Sequence, residues 1–231
     1  MKILSLDTTG LVASCALVDN KKTVAEFTTN FKKTHSQTLM PMVENMCKLV
    51  DMDLSQIDYI ACACGPGSFT GLRIGAATAK GLAHGLNIKI IPVPTLDGIA
   101  YNVTGCNVPV VPIMDARRNQ VYTAIYNTQK GLERLTDYMA CDITELLDKV
   151  YSISPEAIFL GDGVPVFKDI IKERSNDFRF APVCSNMQRA ACVGALALKR
   201  ESYAVKCDDF EIMYLRKSQA EREREERLKS V

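Results

Sequence analysis

Residues 3–17 read ILSLDTTGLVASCAL, and residues 111–125 read VPIMDARRNQVYTAI. Each is an apolar strand, an aspartate, a short polar turn and a second strand, which is the pattern of a hairpin with an acid at its tip. Asp7 aligns with Asp115, almost half of the 231-residue chain apart. A repeat of that length predicts two related lobes, each opening with an Asp-tipped hairpin. Over so short a stretch two unrelated hairpins would look alike. A strand–GDG–helix pattern at 156–167 weighs toward the repeat.

Around the first hairpin the order is readable. Residues 22–30 form a third strand, and 34–52 carry apolar residues at spacings of three and four, so a helix begins near Thr34 or Ser36. A buried strand (57–65), a second helix (68–86), a strand (89–93) and a short helix (94–103) follow. The second half runs strand (108–115), turn, returning strand (121–127), further strand-like sequence (131–139), helix (142–151), strand, glycine turn and helix start (156–167), and a late helix (186–202). The expected architecture is α/β: two related lobes with mixed sheets flanked by helices, the second lobe reduced. Its divisions are 1–104, 105–217 and a charged tail, 218–231.

Composition bounds the function. Lys and Arg total 28 against 27 Asp and Glu, a net charge of +1, so binding dominated by a nucleic-acid backbone is not expected. No apolar run is long enough to cross a bilayer, and nine cysteines, an odd number in mostly apolar surroundings, read as reduced thiols of a cytoplasmic protein. The spacing Cys62-x-Cys64 lacks a second pair at zinc-site spacing. The two histidines, His35 and His84, lie on different helices, so no metal is expected.

The stretch ACGPGSFTGLRIG, 63–75, is the most unusual in composition. It is not a P-loop, because Leu72 follows Gly71 where lysine is required, and Thr70 breaks a dinucleotide fingerprint. It reads instead as a strand end, a Gly-Pro-Gly reversal and a helix capped by Ser68. Gly71, Gly75, Ala79 and Ala83 then recur every fourth residue. Glycine within a helix costs about 1 kcal/mol relative to alanine, so close approach of another backbone is the expected gain. That backbone belongs either to the chain's own sheet or to a second protein.

Several motifs carry a resemblance. Asp7-Thr8-Thr9-Gly10 is similar to the first phosphate loop of the actin/hexokinase superfamily, Asp115-Ala116-Arg117-Arg118 to its second, and Gly161-Asp162-Gly163 to its adenosine loop. All three are degenerate, with bulky Arg117 and Arg118 where glycines are usual. Together LDTT (6–9), HSQTLMPMVE (35–44), GPGSFTGLRIG (65–75), KGLAHGL (80–86), PVPTLDGIA (92–100), IMDARRNQVY (113–122) and YLRKS (214–218) resemble the TsaB (YeaZ), glycoprotease-like family.

The resemblance implies a non-catalytic subunit that supports the catalytic paralogue TsaD, alongside the ATPase TsaE, in threonylcarbamoyladenosine modification of tRNA. It implies two actin-like (ribonuclease H-like) lobes, no cofactor on this chain alone, ATP used by the complete system, and tRNA met only within the complex. The Met-rich first helix and the small-residue second helix are expected to pair two copies as a homodimer in isolation. With the resemblance, Leu39, Met42 and Met46 of the first helix and Leu72, Gly75, Ala76, Ala79 and Ala83 of the second are the expected partner interface. The rival readings on the same fold are an ATP-dependent small-molecule kinase and a metallopeptidase.

Overall fold

The computed structural model describes residues 1–31 and 33–216. The charged tail, 218–231, lies outside the described residues. Strands β1 (Lys2–Asp7), β2 (Ala13–Asp19) and β3 (Thr23–Thr29) are followed by α1 (His35–Leu49), β4 (Tyr59–Ala63), α2 (Phe69–Leu86), β5 (Lys89–Val93) and α3 (Thr95–Ala100). The second half opens with β6 (Val110–Asp115) and β7 (Gln120–Thr123). An additional hairpin, β8 (Tyr126–Asn127) and β9 (Glu133–Arg134), then intervenes. The series resumes with β10 (Met139–Asp142), α4 (Ile143–Ile153), β11 (Ala157–Leu160), α5 (Val164–Arg174), β12 (Phe178–Phe180) and α6 (Ala190–Ala197).

The first sheet runs β3-β2-β1-β4-β5 and the second β10-β7-β6-β11-β12, with β8 and β9 attached to β6. Matched element by element, these are one order used twice. In each sheet the hairpin strands pair antiparallel, and the strand bearing the tip aspartate pairs parallel with the next, which pairs parallel with the edge strand beyond it. The repeat therefore covers whole lobes, and the fold is mixed α/β with two mixed sheets flanked by helices. The single strand expected over 121–127 divides, because β7 pairs with β10 whereas β8 pairs with β9.

Strand alternation sorts the cores. From β1, Leu4 and Leu6 meet Leu39, Val43 and Met46 of α1 and Ala76, Ala79 and Ala83 of α2. Ile3 faces the other way, into a cluster with Val193 and Leu196 of α6. Likewise Ser5 donates to the Ala190 carbonyl at 2.7 Å. Thus α6, last in sequence, packs on the first sheet, while Leu96, Ile99 and Ala100 of α3 pack on Val110, Met114 and Leu160 of the second. Packing thus crosses residue 104 in both directions. Each half lends its final helix to the space between the sheets, and Phe210 returns to the first core as well.

Three of the four glycines in the stretch 63–75 answer to one contact. Cβ atoms at Gly67 and Gly71 would run into the carbonyl oxygens of Thr9 and Thr8, and one at Gly75 into the Thr8 hydroxyl. Ser68 N–H donates to the Thr9 carbonyl at 2.7 Å, Thr8 Oγ1 donates to the Gly71 carbonyl at 2.7 Å, and Ser68 Oγ caps the helix by accepting from Gly71 N–H. Glycine on the buried face of α2 is therefore an internal requirement. A Cβ at Gly81 or Gly85, on the exposed face, meets nothing within 4 Å. In urea unfolding, Gly71→Ala should lose about 1–3 kcal/mol by overpacking, and Gly81→Ala should gain about 1 kcal/mol from helix propensity. Equal effects would remove the contact from the explanation.

Candidate functional site: the cleft between the hairpin tips

Both tip aspartates lie where parallel strands end, the edge at which open α/β sheets place ligands. Asp7 is buried, and its Oδ1 accepts from Thr9 N–H at 2.9 Å and from the Thr9 hydroxyl at 2.7 Å. Asp115 repeats the turn, accepting from Arg117 N–H at 2.8 Å, while its own N–H donates to Asp162 Oδ1 at 3.1 Å. The parallel neighbour of each hairpin ends in an equivalent turn: Gly65-Pro66-Gly67 after β4 and Gly161-Asp162-Gly163 after β11. Gly65 (φ 117°) and Gly161 (φ 109°) both take the left-handed conformation that glycine alone accepts without strain. A Cβ at Gly161 or Gly163 would crowd the Ile113 carbonyl, so this loop clasps the second tip as the other clasps the first.

The cleft between these four turns has a volume of about 410 Å3 and is lined by Thr9, Gly10, Ser68, Phe69, Asp115 and Arg117, among others. Of the degenerate loop residues, Thr9, Asp115 and Arg117 line this opening, whereas Asp7, Thr8, Gly161 and Gly163 are buried in the turns that frame it. At the second tip Arg117, Arg118 and Asn119 have φ of 65°, 55° and 58°. Left-handed backbone costs roughly 1–2 kcal/mol per non-glycine residue, so the tip is strained where glycines would relax it. The lobes close together behind the tips. A side chain at Gly10 would run into the Gln188 amide and the Asp162 carboxylate, and Arg216 Nη1 donates to the Ala116 carbonyl at 2.8 Å. Gln188 carried no sequence signal of its own, and Arg216 none beyond its place in YLRKS. Asp162 could have been found by aligning GPG with GDG.

Burial pushes the Asp7 carboxyl up to about 6, against the downward pull of the Thr9 hydrogen bonds. Asp162 is raised by burial too, opposed by the Asp115 amide. His35 shares a hydrogen bond with the Gly10 carbonyl at 3.0 Å, and His84 is exposed in the last turn of α2. Among the described residues, no group of three or more His, Cys, Asp or Glu side chains is arranged to hold a metal ion.

The interface expectation is corrected by burial. Leu39, Met46, Leu72, Gly75, Ala76, Ala79 and Ala83 are all buried within this chain, and Met42 is half-buried against the same core. The small-residue row serves the chain's own hairpin and sheet. What α1 and α2 expose instead is Met40, Leu49 (70% exposed), Ala77, Gly81 and Gly85.

Two lobes of one topology, facing each other across a cleft with an aspartate at each hairpin tip, define an actin-like protein. Residues 22–228 match the TsaD family, described as tRNA N6-adenosine threonylcarbamoyltransferase. The chain is 35% identical over 174 residues to the tRNA threonylcarbamoyladenosine biosynthesis protein TsaB of Bacillus subtilis, covering 75% of this chain and 76% of that one. With the TsaB of Escherichia coli it shares 30% over 228 residues, covering 95% and 96%. A crystal structure of a Pseudomonas aeruginosa protein with similarity to peptidase YEAZ superposes with a TM-score of 0.79 at 24% identity, covering 93% of this chain and 99% of that one. The chain belongs to the TsaB/YeaZ family.

The raised Asp7 value has a definite consequence for stability. Between 3.8 and about 6 the folded chain keeps a proton that the unfolded chain has lost. Stability from this group is therefore greatest below the lower value and falls as pH rises through the higher one. Asp7→Asn should be more stable than the parent at neutral pH by about 1–3 kcal/mol, the gap closing toward about pH 4. Urea titrations of both proteins across that range check it, and an Asn variant less stable at neutral pH would contradict it.

Proposed function

We propose that this chain serves tRNA threonylcarbamoyladenosine biosynthesis as a non-catalytic accessory subunit that docks on a TsaD-type paralogue. The names of its relatives support the pathway, and the outer face of α1 and α2 supports the docking. The observation that carries the reading is the pair Gly81 and Gly85. Both are exposed within a helix, neither is needed by any contact among the described residues, and each costs about 1 kcal/mol against alanine. Four residues apart, they share one exposed side of α2, and the neighbouring α1 exposes Met40 close to its start. Glycines admit a second helix at close range, and methionine adapts to more than one partner.

In this reading the same face pairs two copies of the chain by two-fold symmetry when the paralogue is absent, so the two assemblies compete. The chain then acts by favouring the paralogue's competent conformation. An ATPase of the TsaE type completes the system, ATP is consumed by that system and not by this chain alone, and tRNA is contacted only within the complex.

Gly81→Arg is a clean test, because arginine favours the helix and the position is open. Light scattering should give a dimer for the parent and a monomer of unchanged circular dichroism for the variant. Mixing with the TsaD-type partner should give a complex with the parent and none with the variant. A variant that keeps both assemblies would overturn the reading.

A further inference from the structure

A second cavity, of about 580 Å3, shares no lining residue with the interlobe cleft. It lies where the β5–α3 junction meets the β8–β9 hairpin and the C-terminal segment. That hairpin has no counterpart in the first lobe, so the cavity exists where the repeat is broken.

Its fixed point is Asp97, only 5% exposed. Oδ1 accepts from the Tyr126 hydroxyl at 2.7 Å and the Tyr138 hydroxyl at 2.8 Å, and Oδ2 accepts from Arg200 Nη2 at 2.6 Å. The carboxylate is therefore fully engaged, and it holds two rings and one guanidinium in place. Burial, with Asp97 adding to it, keeps both tyrosine hydroxyls well above their ordinary range, so they remain donors.

Arg134 is the group left over. Its guanidinium sits 3.9 Å above the centre of the Tyr138 ring. Its acidic neighbour, Asp137, is 3.8 Å away and 99% exposed, a separation and setting in which an ion pair is worth little. The charged lining residues are Asp97, Arg200 and Arg134, which leaves one positive charge in excess. Cys64 adds none, because burial pushes its thiol up to about 12. Pro94, Leu132, Met213 and the exposed ring of Tyr203 complete an apolar wall. An enclosure of this size suits a small molecule, and an apolar wall with a few convergent polar groups is the usual form of such a site.

We propose that this cavity binds a small planar aromatic anion, its ring against Tyr203 and the apolar wall and its negative group on Arg134. The excess charge selects an anion, and flat tyrosine faces reward a flat partner. A nucleotide and an aromatic carboxylate share this chemistry. The proposal is independent of the accessory role proposed above.

Calorimetric titration of the full chain with adenosine monophosphate and with 2-naphthoate tests it, with adenosine and inorganic phosphate as the partial ligands. At least one of the two anions should bind saturably, and the tighter one identifies the source. Adenosine and phosphate should each bind about tenfold more weakly than adenosine monophosphate if the nucleotide is that source. Arg134→Gln should weaken binding about tenfold by removing one charge-assisted hydrogen bond. Tyr203→Ala, at an exposed position that folding tolerates, should weaken it as well, and amide shifts should map to Asp97, Leu132 and Met213. Absence of saturable binding by both anions at millimolar concentration would overturn the proposal. So would binding indifferent to both substitutions, or shifts mapping to the interlobe cleft.

Discussion

The backbone contact between the first hairpin tip and the start of α2 is the constraint on which the rest of this structure depends. Thr8 and Thr9 present carbonyl oxygens to Gly71 and Gly67 at a distance that leaves no room for a side chain. That contact fixes where β4 ends, where α2 starts and how Asp7 is buried. It also forces the inner face of α2 to be small, so Ala76, Ala79 and Ala83 follow the helix down onto the sheet. The second lobe reaches the same end with different residues, Gly161 and Gly163 against the Ile113 carbonyl.

The two clasps would make two independent lobes but for the exchange of last helices. Because α3 leans on the second sheet and α6 on the first, the lobes share a central layer. Gly194 in α6 allows that approach, since a Cβ there would meet Val18 and Ser5. The layer is pinned at its edge by Glu26, which pairs with Arg189 and accepts from Ala191 N–H at 3.0 Å. The tips are thereby held face to face, which concentrates Asp7, Asp115 and Asp162 in one place. Burying acids beside each other costs stability, and such costs collect at functional sites. A strained, arginine-bearing second tip is what distinguishes this cleft from a relaxed phosphate cradle.

Much of this was legible in the sequence. The Asp7 and Asp115 hairpins, both helices flanking β4 and the Ser68 cap follow from pattern and turn chemistry alone. The equivalence of GPG and GDG was not drawn, since proline and aspartate hide a similarity that lies in the glycine backbone. Periodicity identified the small-residue face of α2 correctly but could not say which backbone covers it. Gly71 and Gly75 meet Thr8 from the same chain, whereas Gly81 and Gly85, on the exposed side of the same helix, have no neighbour among the described residues. The exchange of α3 and α6 left no local trace, because an apolar helix looks the same whichever sheet it covers. The three-residue strand Phe178–Phe180 was too short to give a period.

The central claim is that this chain works through the outer face of α1 and α2 and not through chemistry in its cleft. The threonylcarbamoyladenosine content of tRNA, measured by mass spectrometry in bacteria whose own TsaB is replaced by this chain, tests that claim most directly. The account predicts that the parent and Asp7→Asn sustain the modification while Gly81→Arg, folded and equally abundant, does not. Modification that survives Gly81→Arg and disappears with Asp7→Asn would contradict it.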